Sequence, residues 1–117
     1  FELRLMDGST NPYLLQAGVL AAGLYGLDNR IDPGEPLSCN MYTDYKNYPN
    51  LKKLPEELDE ALNYLKDSKE LKEAFGENVV NSYLKLKSIE VDDFYKNENF
   101  NKKEPVTQWE KGNTLDC

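Results

Sequence analysis

The sequence predicts an α+β fold that is mainly α, with one N-terminal strand followed by three to four packed helices. Three observations support this fold class. The first five residues alternate between apolar and charged side chains, which is the period of a half-buried strand. A long apolar stretch follows, and apolar residues then recur at helical spacing from position 55 onward.

The predicted strand covers residues 1–6. Its apolar side chains would lie on one face and its charged side chains, Glu2 and Arg4, on the other, because successive strand residues point to opposite sides. Strand geometry separates such a pair by about 6–7 Å, which suits two neighbouring ligands better than a tight ion pair. The Asp-Gly-Ser turn at 7–9 ends the strand. An unpaired strand edge would also favour pairing with a second copy, so the chain is expected to dimerise.

A buried helix is predicted over residues 11–25. Asn11 or Thr10 is the expected N-cap, and Pro12 occupies the first helical position, where its missing N–H is not needed. The helix is apolar on every side, so it must be covered from several directions. Two glycines in its interior predict close approach of another backbone.

The remaining segments are predicted as a loop, a helical region and a tail. Residues 28–53 combine turn signals with several tyrosines and show no sustained periodicity, which is typical of a long loop. The helical region spans residues 55–95, where a new N-cap at Asp67 or Ser68 and a stop at Gly76 divide it into three helices. The C-terminal tail covers residues 96–117, and a short element can begin near Trp109.

Composition limits the function classes. The net charge of −7 disfavours nucleic acid and anionic membranes, because both bind clusters of Lys and Arg. The longest apolar stretch is shorter than the roughly 20 residues needed to span a bilayer. Two cysteines, one of them the final residue, make a disulfide framework improbable. With no signal peptide at its start, the chain is expected to be cytoplasmic.

The available side chains favour hard cations and phosphate. The chain has no histidine, which excludes Ser-His-Asp and Cys-His sites and histidine-containing zinc sites within it. Glu2 could hold Mg²⁺, and the planar fork of Arg4 could grip a carboxylate or phosphate. Taken alone, these residue types fit the charged outer face of a surface strand better than a site.

A family resemblance instead favours a functional site at Glu2 and Arg4. Residues 1–13 contain Glu-Leu-Arg-Leu-Met-Asp and Asn-Pro-Tyr and resemble the Glu-x-Arg-x-Pro-Asp and Asn-Pro-Tyr segment of the glutamine synthetase family. The Ala-Ala-Gly-Leu-Tyr-Gly run, Asn-Arg-Ile-Asp-Pro-Gly at 29–34, Asn-Met-Tyr at 40–42 and the late Trp109-Glu110 pair continue the resemblance in order. The resemblance implies that residues 1–117 are the C-terminal part of the catalytic domain of such an enzyme.

The resemblance implies a reaction and residue roles. These enzymes use ATP and Mg²⁺ or Mn²⁺ to form γ-glutamyl phosphate from glutamate, and ammonia then displaces phosphate. By position, Glu2 matches a metal ligand and Arg4 matches an arginine that binds glutamate and its acyl phosphate. The parent enzyme is expected to be a homo-oligomer. Tyr42 matches a tyrosine that some bacterial members modify, although the residues after it differ from that subgroup.

Two features separate this chain from the common pattern. Met6 stands where the family usually has proline. The C-terminal sequence Trp-Glu-Lys-Gly-Asn-Thr-Leu-Asp-Cys is more similar to the branch that contains γ-glutamylmethylamide synthetases, so the acceptor is ammonia or methylamine. The chain alone is expected to be inactive, because the nucleotide-binding strands and the other metal ligands are absent from it. The alternative is a stand-alone helical assembly or regulatory module without catalysis.

Overall fold

The computed structural model describes residues 2, 3, 5, 6, 8, 10–97 and 106–113. All regular elements in these residues are helical. They are α1 Pro12–Asp28, α2 Met41–Asp44, a 3₁₀ turn Tyr45–Asn47, α3 Leu58–Asp67, α4 Lys69–Phe75, α5 Glu77–Asn97 and α6 Gln108–Asn113. The mainly helical part of the predicted fold class is therefore confirmed.

The predicted N-terminal strand is wrong. The described residues of segment 1–6 form no strand, and the rest of the described chain contains no strand that could pair with them. A strand requires ladder hydrogen bonds to a neighbour, so alternation of apolar and charged residues is not sufficient. Leu3 and Met6 instead lie along α1 and line an open groove with it. Dimerisation through a strand edge loses its basis.

Helix α1 begins where the sequence predicts. The Asn11 side chain accepts hydrogen bonds from the backbone N–H groups of Tyr13 and Leu14, at 3.0 and 3.1 Å, and Pro12 occupies the first turn. Asn11, rather than Thr10, is thus the N-cap. It satisfies two of the donors that a helix N-terminus leaves without partners.

The same helix ends later than position 25. The N–H of Ile31 donates to the Gly26 carbonyl at 2.9 Å, and the N–H of Arg30 donates to the Leu27 carbonyl at 3.1 Å. This pair of bonds is a Schellman motif, which requires a left-handed residue at Arg30; its φ is 51°. Glycine usually fills that position, so Arg30 carries a local backbone cost, while its charge favours the helix C-terminus.

The predicted burial of α1 is not found in this chain. No residue of α1 is buried, and Leu20, Leu24 and Leu27 are 63%, 50% and 76% exposed. Helix α1 packs against α4, which covers one side of a helix that is apolar all round. A Cβ added at Gly18 or Gly23 would meet nothing within 4 Å, so the predicted close backbone packing is also missing here.

The buried part of the described chain lies between α3 and α5. Helix α3 packs along α5, and α4 contacts both α1 and α5. Leu62 of α3 is 8% exposed and Val80 of α5 is 3% exposed, and these are the buried hydrophobic side chains of the described residues. Desolvation raises the pKa of Tyr95 on α5, and the nearby carboxylates of Asp59 and Glu57 raise it further.

The divisions of the helical region follow the predicted signals. The Ser68 hydroxyl accepts a hydrogen bond from the Leu71 N–H at 3.2 Å and caps α4. Gly76 ends α4 with a φ of 85°, a conformation that only glycine adopts without a Cβ penalty. The predicted loop 28–53 contains α2 and the 3₁₀ turn, so it is less irregular than its sequence indicates.

Glu70 connects α4 to α1 and gives the stability a pH dependence. The pKa of the Glu70 carboxyl is lowered most by a hydrogen bond from its own backbone N–H. The next largest cause is the Ser68 hydroxyl, which donates to Oε2 of Glu70 at 3.0 Å. The Tyr25 hydroxyl of α1 lowers the pKa by a smaller amount. Because the pKa of Glu70 is lower in the folded chain than in the unfolded chain, ionised Glu70 stabilises the fold at pH values above its unfolded pKa of about 4.3. That contribution disappears as the pH falls through the folded pKa.

Replacing Glu70 with glutamine is therefore expected to reduce the loss of stability between neutral and acidic pH. The measurement is urea denaturation at several pH values, followed by circular dichroism. Glu73→Gln is the matched control, because Glu73 is an exposed carboxylate on the same helix. Equal pH profiles for Glu70→Gln and wild type would rule out this role of Glu70.

Candidate functional site

Glu2 is the predicted metal ligand that the structure describes. It is exposed at the N-terminal end of the segment that runs along α1. The neighbouring Leu3 contributes to the apolar groove beside α1. Its carboxylate oxygens are the hard donors that Mg²⁺ and Mn²⁺ prefer.

Arg4, the predicted substrate-binding residue, lies outside the described residues. The expectation that it shares a face with Glu2 depended on a strand, and the described residues of that segment form none. The juxtaposition of Glu2 and Arg4 therefore rests on the family resemblance.

A complete metal site is absent from the described part of the chain. Residues 10–97, 106–113 and the described N-terminal positions contain no group of three or more His, Cys, Asp or Glu that could hold an ion. Glu2 fits a divalent cation by donor type but can supply only part of its coordination shell. The other ligands of such an ion would have to come from outside these residues.

Tyr42, the candidate modification site, projects from the start of α2. Its backbone N–H donates to the Asn40 side chain at 3.1 Å, which caps the helix. The Tyr42 side chain is 96% exposed, so its hydroxyl is accessible to a modifying enzyme. Accessibility is compatible with modification but does not indicate it.

A sulfur contact beside Tyr42 was not predicted from the sequence. The Cys39 Sγ lies 3.5 Å from the Met41 Sδ, and hydrogen bonding to Cys39 is the largest cause of the raised pKa of Tyr48. Cys39 thus packs within the loop as a small, weakly polar side chain. The spacing of these residues in the sequence does not predict the contacts of Cys39, because the chain folds back between Met41 and Tyr48.

Two open grooves flank α1. The larger has a volume of about 770 Å³ and runs between α1 and the N-terminal segment; the smaller has about 370 Å³ and lies between α1 and α4. The walls of the larger groove are mostly apolar, formed by Leu3, Met6, Leu15, Gln16, Val19, Leu20, Gly23, Leu24 and Leu27. Exposed apolar grooves of this kind are candidate surfaces for contact with a ligand or another protein segment.

None of the helices in the described residues is both long enough and apolar enough to cross a membrane.

Comparison with known proteins agrees with the residue pattern. The family model of the glutamine synthetase catalytic domain matches residues 1–110. A glutamine synthetase of Rhizobium meliloti is 41% identical over 116 residues, which is 99% of this chain and 25% of that protein. A glutamine synthetase of Methanosarcina mazei is 43% identical over 96 residues, covering 80% of this chain and 22% of that protein.

The matches also include a different amide-forming enzyme. A γ-glutamylethanolamide synthetase of Streptomyces coelicolor is 38% identical over 111 residues, covering 94% of this chain and 21% of that protein. The chain spans about a quarter of the length of the curated relatives it matches. No solved structure is significantly similar to it.

Proposed function

Because this chain belongs to the family of the glutamine synthetase catalytic domain, we propose that it supplies the C-terminal part of an ATP-dependent glutamate–amine ligase. The ligase phosphorylates the γ-carboxylate of glutamate, and an amine then displaces phosphate from γ-glutamyl phosphate. The chain contributes a metal ligand and a substrate arginine to that reaction and is inactive alone. We place the enzyme in the cytoplasm, where its ATP is available.

The observation that carries the proposal is the uncovered helix α1. Helix α1 has 17 residues, most of them apolar. Each Å² of apolar surface left in water forgoes about 25 cal/mol of stabilisation that burial would give. Within the described residues, α4 covers one side of α1 and the two grooves remain open. The relatives are about four times as long as this chain, and their additional length is enough to cover such a helix.

The proposed roles of Glu2 and Arg4 follow from their chemistry. Glu2 would hold a divalent cation together with ligands from the longer protein; when bound, that ion neutralises charge on the transferring phosphoryl group. The Arg4 guanidinium would bind glutamate and stabilise the negative charge that develops on the acyl phosphate. The same set of residue types explains why histidine is not needed in this part of the enzyme.

The identity of the acceptor amine is the specificity question for this enzyme. The chain resembles glutamine synthetases and a γ-glutamylethanolamide synthetase at similar identity, and its C-terminal sequence favours the methylamide branch. Ammonia and methylamine are the acceptors we propose. A panel of ammonia, methylamine and ethanolamine at equal concentration, assayed by phosphate release with the longer enzyme, would rank them by kcat/KM.

The covering of α1 can be tested by changing its exposed leucines. In this chain alone, the double change Leu20→Glu and Leu24→Glu is expected to reduce self-association, because charges replace exposed apolar surface. In the longer ligase, the same change is expected to destabilise the protein, since it would bury two unpaired carboxylates. Light scattering measures the first effect, and thermal unfolding measures the second.

Leu86→Glu is the matched control. Leu86 is 56% exposed on α5, close to the values for Leu20 and Leu24, so the substitution changes the same chemistry outside α1. A stand-alone helical assembly or regulatory module predicts a different result: a monodisperse monomer, with no loss of stability in the longer protein when α1 carries the two glutamates. That outcome would replace the ligase-fragment proposal.

A further inference from the structure

The C-terminal helix α6 meets the end of α5 through a small set of aromatic and polar contacts. The rings of Trp109 and Phe94 lie edge to face, with centroids 5.5 Å apart and an interplanar angle of 79°. The indole Nε1–H donates to the Asp93 Oδ2 at 2.8 Å. Phe94 also contacts Tyr95 edge to face at 5.4 Å. Trp109 is thus anchored by an edge-to-face ring contact and a charge-assisted hydrogen bond.

Helix α6 is capped by hydrogen bonds between its own first residues. The Thr107 hydroxyl accepts from the Glu110 N–H at 3.1 Å, and the Glu110 carboxylate accepts from the Thr107 N–H at 2.7 Å. This reciprocal pair is a capping box. Six residues are nevertheless too few for a helix that is stable on its own in water, so α6 persists only while it is docked.

We propose that α6 is a latch that docks on the C-terminal end of α5 through Trp109 and opens without unfolding α3–α5. Most of α6 is exposed, while α3 packs along α5 and the buried side chains Leu62 and Val80 lie outside α6. Opening would therefore cost the contacts of Trp109 and leave the α3–α5 packing intact. Segments held by few buried contacts are those that open locally below the global free energy of unfolding.

The proposal predicts two separate unfolding transitions in this chain. Trp109 is the single tryptophan, so its fluorescence reports the latch, whereas far-ultraviolet circular dichroism reports mainly α1, α3 and α5. The fluorescence transition is expected at a lower urea concentration than the dichroism transition. Asp93→Ala should move the fluorescence midpoint still lower and leave the dichroism midpoint in place. Asp92→Ala is the matched control on the adjacent residue and should move neither midpoint.

A second variant tests whether α6 opens independently of α3. Trp109→Phe keeps an aromatic ring but removes the N–H donor, so amide hydrogen exchange in residues 108–113 should accelerate severalfold while exchange in α3 stays unchanged. Coincident fluorescence and dichroism transitions in the wild-type chain would overturn the proposal. Equal acceleration of exchange in α6 and α3 would also overturn it, because the latch would then open only with the whole unit.

Discussion

In the longer ligase, Glu2→Gln is expected to lower kcat/KM for glutamate about 100- to 1,000-fold, the usual loss when one group that stabilises developing charge is removed. Glutamine keeps the size and one oxygen donor but loses the negative charge that a divalent cation requires. The deficit should be smaller at high Mg²⁺ or Mn²⁺ concentration, because mass action partly restores occupancy of a weakened site. Phosphate release at several metal concentrations measures both effects.

A matched carboxylate distinguishes this role from a general charge effect. Glu73→Gln removes one negative charge from an exposed position on α4 and should leave kcat/KM unchanged. Arg4→Lys keeps the positive charge but cannot form a bidentate contact, so it should raise the KM for glutamate more than Glu73→Gln does. A Glu2→Gln enzyme with wild-type turnover and metal dependence would remove Glu2 from the site.

The second large effect concerns the packing of α3 against α5. Leu62→Ala is expected to lower the free energy of unfolding of this unit by about 2–5 kcal/mol, the range for removing a buried leucine side chain. A small domain has only about 5–15 kcal/mol in total, and the described residues contain few buried side chains that could compensate. The variant should therefore be close to unfolded at 37 °C.

Leu58→Ala provides the comparison on the same helix. Leu58 is 45% exposed, whereas Leu62 is 8% exposed, so the same deletion of atoms should cost much less at position 58. Urea denaturation followed by circular dichroism gives both values. Similar shifts for the two variants would mean that Leu62 is not part of a packed core and that α3–α5 does not fold as a unit.

Local signals in the sequence predicted much of the helical structure. Asn11 and Ser68 cap helices through their own side chains, and Gly76 ends α4 at a positive φ. These features depend on residues within one or two turns, so the information is present in the local sequence. Helix α1 extends past the predicted end at residue 25 to Asp28, because the Schellman motif that ends it has Arg30 in the left-handed position where glycine is usual.

Features that depend on distant partners could not be predicted in the same way. Alternation at the N-terminus indicated a strand, but a strand needs a neighbour, and the described residues contain none. The apolar character of α1 indicated burial, but within the described residues no side chain of α1 is buried. The contact between Trp109 and Asp93 spans 16 residues, and periodicity carries no information about it.

The candidate site was identified by resemblance more than by physics. Residue types alone made Glu2 a surface carboxylate, and the structure leaves it exposed. The family match over residues 1–110 supports the class of enzyme, and variants of the longer protein test the proposed roles of Glu2, Arg4 and Tyr42.

The most direct test of the central claim is ATP-dependent phosphate release, measured at equal concentrations of this chain and of the longer ligase. Both samples would contain Mg²⁺, glutamate and either ammonia or methylamine, and γ-glutamyl amide would be quantified in parallel. If the chain is one part of a shared active site, the longer protein turns over and this chain gives no product above the protein-free control. Formation of γ-glutamyl amide by this chain alone would contradict the account.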